Sequence, residues 1–232
     1  MNNLQSINYT SINHRRTQLR ANNTSSAAFK GNAPKSLPDS LIASDNLLRS
    51  RINHISGKLK ESKIEHGVWI DSQNGSKILT ETGDETTFDL TGSTLEKAQK
   101  RQKIKGSICI HNHPGDDIPY FSSIDLAVAY FWKLKELKLV TQDTIHTFEL
   151  PKKKRGIPSK LNDLKQFTRK IWQDTGNLLY DKKKTELGRD LSENEINKKN
   201  YVQEWYDLIA ERLSGSKFKI EDLKKKNSKS AL

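Results

Sequence analysis

The run Ile108-Cys-Ile-His-Asn-His-Pro-Gly-Asp-Asp-Ile-Pro-Tyr-Phe-Ser-Ser-Ile-Asp125 constrains this chain more than any other. Strand alternation puts Ile108, Ile110 and Asn112 on one face, and Cys109, His111 and His113 on the other. Pro114 and Gly115 end the strand, because proline lacks a ladder donor and glycine admits a turn. Beyond Ser122, apolar residues recur at Ile124, Val128, Phe131, Leu134 and Leu137, a helical period that predicts a helix over 123–138. A strand, a turn and an apolar helix in so short a span imply a sheet flanked by helices, of α+β or α/β class.

The same run carries chemistry. Two histidines at i, i+2 on one strand face lie about 6–7 Å apart along the chain. Their rings can converge on one ion at about 2.0–2.1 Å per nitrogen. Asp125, in the first turn of the helix, can meet them there. His111, His113 and Asp125 with a fourth position left to water is the catalytic arrangement of zinc rather than the closed structural one. Ser122-x-x-Asp125 is also a good helix start, the serine capping and the acid favoured by the helix dipole. The conjunction of His-x-His-Pro, a turn and Ser-x-x-Asp opening an apolar helix points to a metal site.

This pattern resembles the JAMM (MPN, or JAB) metalloprotease family: an upstream glutamate, then His-x-His-Pro, about seven residues, and Ser-x-x-Asp. His-Asn-His-Pro-Gly followed by Phe-Ser-x-x-Asp looks most like the bacterial and phage branch, including RadC-type members. The resemblance covers roughly residues 60–150 and implies an MPN/JAB-like (cytidine deaminase-like) sheet flanked by helices. It implies Zn2+ held by His111, His113 and Asp125, with Glu65 as general base and then acid. Ser122 would donate a hydrogen bond to the developing oxyanion. The reaction implied is hydrolysis of an amide or isopeptide bond in a protein or peptide, in this family the tail of ubiquitin or a ubiquitin-like protein. Glu61 is the alternative base. Eight residues separate His113 from Ser122, one more than the usual seven, so Asp116 and Asp117 stand as second candidates for the carboxylate ligand. The rival functions are a non-catalytic MPN-fold scaffold or phage assembly protein, and a RadC-like DNA-associated protein.

The rest of the chain is organised around this segment. Residues 1–40, rich in Asn, Ser and Thr, read as a disordered arm. Leu41, Leu47, Leu48, Ile52, Ile55 and Leu59 predict a leading helix over 41–60. Lys63–Asp71 and Ser76–Thr80 flank Asn74-Gly75, a hairpin signal, with Glu65 on the first strand. Ser93-x-x-Glu96 has capping-box form and opens a basic segment leading to the histidine strand. Val140, Ile145, Phe148 and Leu150 predict one or two strands that close the catalytic domain, 61–150. His146 reads as a strand residue rather than a ligand. Residues 151–232 read as a basic, mainly helical extension, with amphipathic helices over 159–180 and 192–214, the second capped by Ser192 and Glu195.

Net charge is +12, from 40 basic and 28 acidic residues, which fits an anionic partner without selecting one. Nucleic acid is a possible partner, but no DNA-binding motif supports it. The single cysteine, Cys109, excludes an intramolecular disulfide. No apolar h-region and no 18-residue apolar run occurs, so neither a secretory signal nor a membrane span is expected. Cytoplasmic residence is the default expectation. Pro151-Lys-Lys-Lys-Arg155 has the composition of a weak nuclear signal, relevant only to delivery into another cell.

Overall fold

A computed structural model describes residues 39–83, 103–114, 119–151 and 156–223. The described elements are α1 (Asp39–Leu59), β1 (His66–Ile70), β2 (Lys77–Thr82), β3 (Ile108–Asn112), α2 (Ser123–Trp132), β4 (Glu136–Val140), β5 (Thr144–Glu149), α3 (Leu161–Leu187), α4 (Glu193–Ile196), α5 (Lys199–Arg212) and β6 (Lys217–Asp222). The fold is α+β. Its six strands form one mixed sheet in the order β2-β1-β3-β4-β5-β6. Only β3 and β4 run parallel, and α2 makes the crossover between them; the other neighbours are antiparallel.

Alternation along β3 sorts the core. Ile108 and Ile110 join Val68, Ile70, Val140 and Leu59, a cluster against which Leu48, Ile52 and Ile55 of α1 pack. Cys109 lies on the opposite face, with Trp69, Leu137, Leu139, Phe148 and α2. Residues 126–130 and Trp132 of α2 are all buried, as expected of a helix apolar nearly all round. One side of α2 is covered by α3, through Leu164, Thr168, Ile171, Thr175 and Leu179.

Helix α2 stops at Trp132, six residues short of the expected end. Lys133 takes a left-handed conformation (φ 53°, ψ 47°), and its carbonyl accepts from Gly106 N–H while Lys135 N–H donates to Ser107. Those two bonds launch β4 beside β3, with Leu137 opposite Cys109 and Leu139 opposite His111. Leu134 and Leu137 fit a helical period, but Leu137 and Leu139 fit a strand period equally, and pairing with β3 decides. Ile124, assigned by that period to the buried face, is 43% exposed.

The Asn74-Gly75 turn joins β1 to β2 through a longer loop than a two-residue hairpin. Asp71 Oδ1 accepts from Gln73 and Asn74 N–H, and Gly75 has φ +71° beneath the Arg51 side chain. The first C-terminal helix runs on to Leu187. The second expected helix is two: α4, capped by Ser192 and Glu195 as predicted, and α5. Residues 217–222, expected within a mainly helical extension, form β6, which pairs with β5 along its whole length. The basic segment after Ser93 as far as Gln102, and residues 152–155 of the basic cluster, lie outside the described residues. Among the described residues, no helix is long and apolar enough to cross a membrane.

Candidate metal centre

Four side chains converge beyond the carboxyl end of β3. His111 is the fourth residue of that strand and His113 follows its end. Glu65 directly precedes β1, beside β3, and Asp125 lies in the first turn of α2. His111 Nε2 is 3.4 Å from Asp125 Oδ1. His113 Nε2 is 3.7 Å from Asp125 Oδ2 and 3.9 Å from Glu65 Oε1. Glu65, His111 and His113 each offer one ligand atom, and those three atoms lie within 4.8 Å of one another. Glu65, His111 and Asp125 are buried, while the His113 side chain keeps 16% of its surface exposed and forms the open side of the group.

The two His113 separations exceed an ordinary hydrogen bond, and that of His111 to Asp125 is a long one. Donors about 2.0–2.1 Å from a tetrahedral ion lie about 3.3–3.4 Å apart, which the His111–Asp125 pair already matches, while the Glu65, His111 and His113 atoms, spread over up to 4.8 Å, would have to draw together. The donor set, two imidazoles and two carboxylates, also suits zinc. The group is therefore one that could bind a metal ion.

The electrostatics agree. Burial pushes the Asp125 carboxyl up, but the charge and hydrogen bonding of His111, the charge of His113 and the Ser122 N–H outweigh it and hold the acid well below the usual carboxylate range. Burial pulls His111 down; Asp125, Glu65 and the Lys138 backbone overcome that and raise it. Asp125 and the two imidazoles thus interact electrostatically, acid and base each favouring the charged form of the other.

Both carboxylates are held from outside. Ser122 caps α2: its hydroxyl accepts from Asp125 N–H at 3.2 Å, and its own N–H donates to Asp125 Oδ2 at 2.7 Å. This is the capping role noted for Ser-x-x-Asp, and it aims the carboxylate at the histidines. Phe121 is fixed on both sides, Tyr206 Oη accepting its N–H at 2.9 Å and Trp172 Nε1 donating to its carbonyl at 3.1 Å. Thr168 Oγ1 donates to the Ser123 carbonyl at 2.8 Å. Three residues of α3 and α5 thus hold the chain around Ser122. Asn112 holds Glu65: its Oδ1 accepts from His66 N–H at 2.8 Å and its Nδ2 donates to the Ile64 carbonyl at 3.1 Å, bracketing the glutamate.

His111, His113, Asp125 and Glu65 are brought together, with Ser122 adjacent through the cap. Glu61 is exposed in the turn after α1 and is not one of the grouped donors. Asp116 and Asp117 lie outside the described residues. His146 is a buried β5 residue, its Nδ1 2.9 Å from Tyr206 Oη and its Nε2 2.9 Å from Thr144 Oγ1, as a strand reading requires. Sequence reasoning did not find Asn112, Thr168, Trp172 or Tyr206. Asn112 carried a local signal, a polar residue on the apolar face of a strand between two histidines; the other three act across more than forty residues and carried none. No protein-family model, curated protein or solved structure matches the chain.

Proposed function

We propose that the chain is a zinc-dependent hydrolase of JAMM type that cleaves an amide or isopeptide bond in a protein or peptide substrate. The observation that carries this reading is the grouping of two imidazoles and two carboxylates, with His111–Asp125, His113–Asp125 and His113–Glu65 at 3.4–3.9 Å, in the order Glu65, His111-x-His113, Ser122-x-x-Asp125. His111, His113 and Asp125 would hold zinc, which when bound polarises a carbonyl and brings a water's pKa towards neutrality. Glu65, held by Asn112 beside His113, would take a proton from the attacking water and return it to the leaving amine. Ser122 accepts from Asp125 N–H and retains its own proton to donate to negative charge developing on the substrate oxygen. His113 marks the side from which substrate enters. The substrate implied by the resemblance is a ubiquitin-like tail.

The test is elemental analysis of chelator-free protein, followed by assay of ubiquitin-like and peptide substrates. About one zinc per chain, lost in His111→Ala/His113→Ala, supports the centre. Asp125→Asn weakening zinc while Glu65→Gln retains it and abolishes cleavage supports the assignment of ligand and base. Loss of zinc in Glu65→Gln would make Glu65 the third ligand. No zinc in wild type, or undiminished cleavage by the double histidine variant, refutes the proposal.

A further inference from the structure

A second feature lies on the other face of the sheet. Gly67 of β1 is opposite His111, whereas Val68 is opposite Ile110, so Val68 and Ile70 face away from the metal centre, towards α1. Between α1 and the β1–β2 pair runs a groove of about 580 Å3. Its floor is aliphatic: Ile55 and Leu59 from the helix, Val68 and Ile70 from the strand. Its rim is basic: the cations Arg51 and Lys58 on α1 and Lys77 on β2, with the imidazoles of His54 and His66 between them. No carboxylate and no Phe, Tyr or Trp ring occurs among the described residues that line it; its two imidazoles, His54 and His66, lie on the rim. Arg51, His54, Lys58 and Lys77 are exposed, and His66 is half-buried.

We infer that this groove is a docking site for an acidic peptide segment bearing aliphatic side chains, supplied by a partner protein. The charge selects the partner's sign. Three fixed cations with no lining carboxylate to neutralise them produce a local positive potential that attracts anions and repels basic segments. The floor selects what lies between those anions. Ile70 is fully buried and Leu59 and Val68 keep only 6% and 9% of their surface, so a docked aliphatic side chain meets mainly half-buried Ile55 and the edges of Leu59 and Val68; the volume lies within the range of binding pockets. Nucleic acid would satisfy the rim but not the floor, because single strands are held by stacking on aromatic rings. At one end of the groove His66 follows Glu65 directly, so a segment docked here ends next to the backbone that carries the proposed base, from the opposite face of the sheet. The inference does not depend on the metal.

The experiment is fluorescence anisotropy on the full-length chain, with a labelled peptide of about a dozen residues mixing Glu or Asp with Leu. Matched probes replace Leu by Ser, or the acids by Lys, and an oligo-dT of equal charge is the nucleic-acid arm. Binding of the acidic Leu peptide is expected, weakened at least about tenfold by Arg51→Glu/Lys58→Glu and at least about fivefold by Leu-to-Ser replacement in the peptide. Because the Arg51 stem packs over Gly75, Lys58→Glu/Lys77→Glu serves as a second variant should the first lower the melting temperature. No binding below about 100 μM, or binding unchanged in a folded charge-reversal variant, overturns the inference. Equal affinity for the Ser peptide or for oligo-dT also overturns it, by showing a site that reads charge alone.

Discussion

Asn112→Ala is the most informative single substitution. Asn112 is 1% exposed, and its amide makes two hydrogen bonds, to His66 N–H at 2.8 Å and to the Ile64 carbonyl at 3.1 Å. A net hydrogen bond is worth about 0.5–1.5 kcal/mol, and truncation also leaves two backbone groups without this partner. The expected loss is therefore about 2–3 kcal/mol, which in a chain of this size lowers the melting temperature by about 2–4 °C per kcal/mol. A second effect separates positioning from simple stability. The Gly83 N–H to Glu65 carbonyl bond (2.8 Å) and the Ser62 hydroxyl on the Ile64 carbonyl (2.8 Å) would still tie the backbone there, without the clamp from β3. Zinc affinity or turnover should fall about 10–100-fold, as for other groups that orient a metal site from outside. Asn112→Asp retains an acceptor for His66 N–H but sets an anion against the Ile64 carbonyl, and should be no better than alanine. Urea unfolding and a chromophoric-chelator competition for zinc measure the two effects. A variant within about 0.5 kcal/mol of wild type refutes the clamp; a stability loss with unaltered zinc affinity and turnover refutes its link to Glu65.

Three further outcomes are expected. Tyr206→Phe retains the ring stacked on Phe218 at 4.6 Å but removes the acceptor for Phe121 N–H, so stability should fall by about 1–2 kcal/mol and the spectrum of the cobalt-substituted protein should change; an unchanged spectrum would make the bond structural only. Burial, with the charges of His113 and Lys199, lowers the His146 pKa to about 4 from 6.5, so the unfolded chain binds more protons between these values. Stability is fully present above pH 6.5 and falls by an amount on the order of 3 kcal/mol as pH drops towards 4; His146→Gln should flatten that slope, and an equal slope in the variant refutes the assignment. Gly176→Ala gains helix propensity of about 1 kcal/mol, but the new Cβ would meet Trp205 at 3.2 Å, and that ring is held by its bond to Thr175 Oγ1 (3.0 Å) and by Trp172 at 4.5 Å. Net destabilisation is expected on thermal melting, and a higher melting temperature would show that the ring can move.

How much was legible follows the range of the interactions. The histidine strand, the turn beyond it and the start of α2 are local features, and alternation and capping read them directly. Glu65 was reached by resemblance, and β3 brings it within 3.9 Å of His113. The end of α2 was misread because Leu137 suits either period, and only the bonds from Lys133 and Lys135 to Gly106 and Ser107 resolve it. Strand β6 was missed for a related reason. Lys-Phe-Lys-Ile-Glu-Asp alternates, but in so short and charged a segment the pattern is weak until Phe218 and Ile220 meet Phe148 and His146 on β5.

The supports of the candidate metal centre come from distant parts of the chain, and this bears on what the minimal folding unit is. The histidines ride on a central strand whose neighbours are β1 and β4. The glutamate is set by an amide from that strand, and the aspartate by a cap whose preceding residue is fixed from α3 and α5. Without residues 161–222, the Phe121 N–H and carbonyl would lose Tyr206 and Trp172, and β5 would lose β6 and expose an unpaired edge. Leu164, Ile171, Leu179, Val202, Trp205, Tyr206 and Ile209 share one apolar cluster with α2 and Cys109 of the histidine strand. Burying such side chains contributes about 1.5–3 kcal/mol each, more per residue than each hydrogen bond that orients the donors, at about 0.5–1.5 kcal/mol. The C-terminal helices are thus tied into both the core and the positioning of Asp125, although the motif that announces the metal centre ends before they begin.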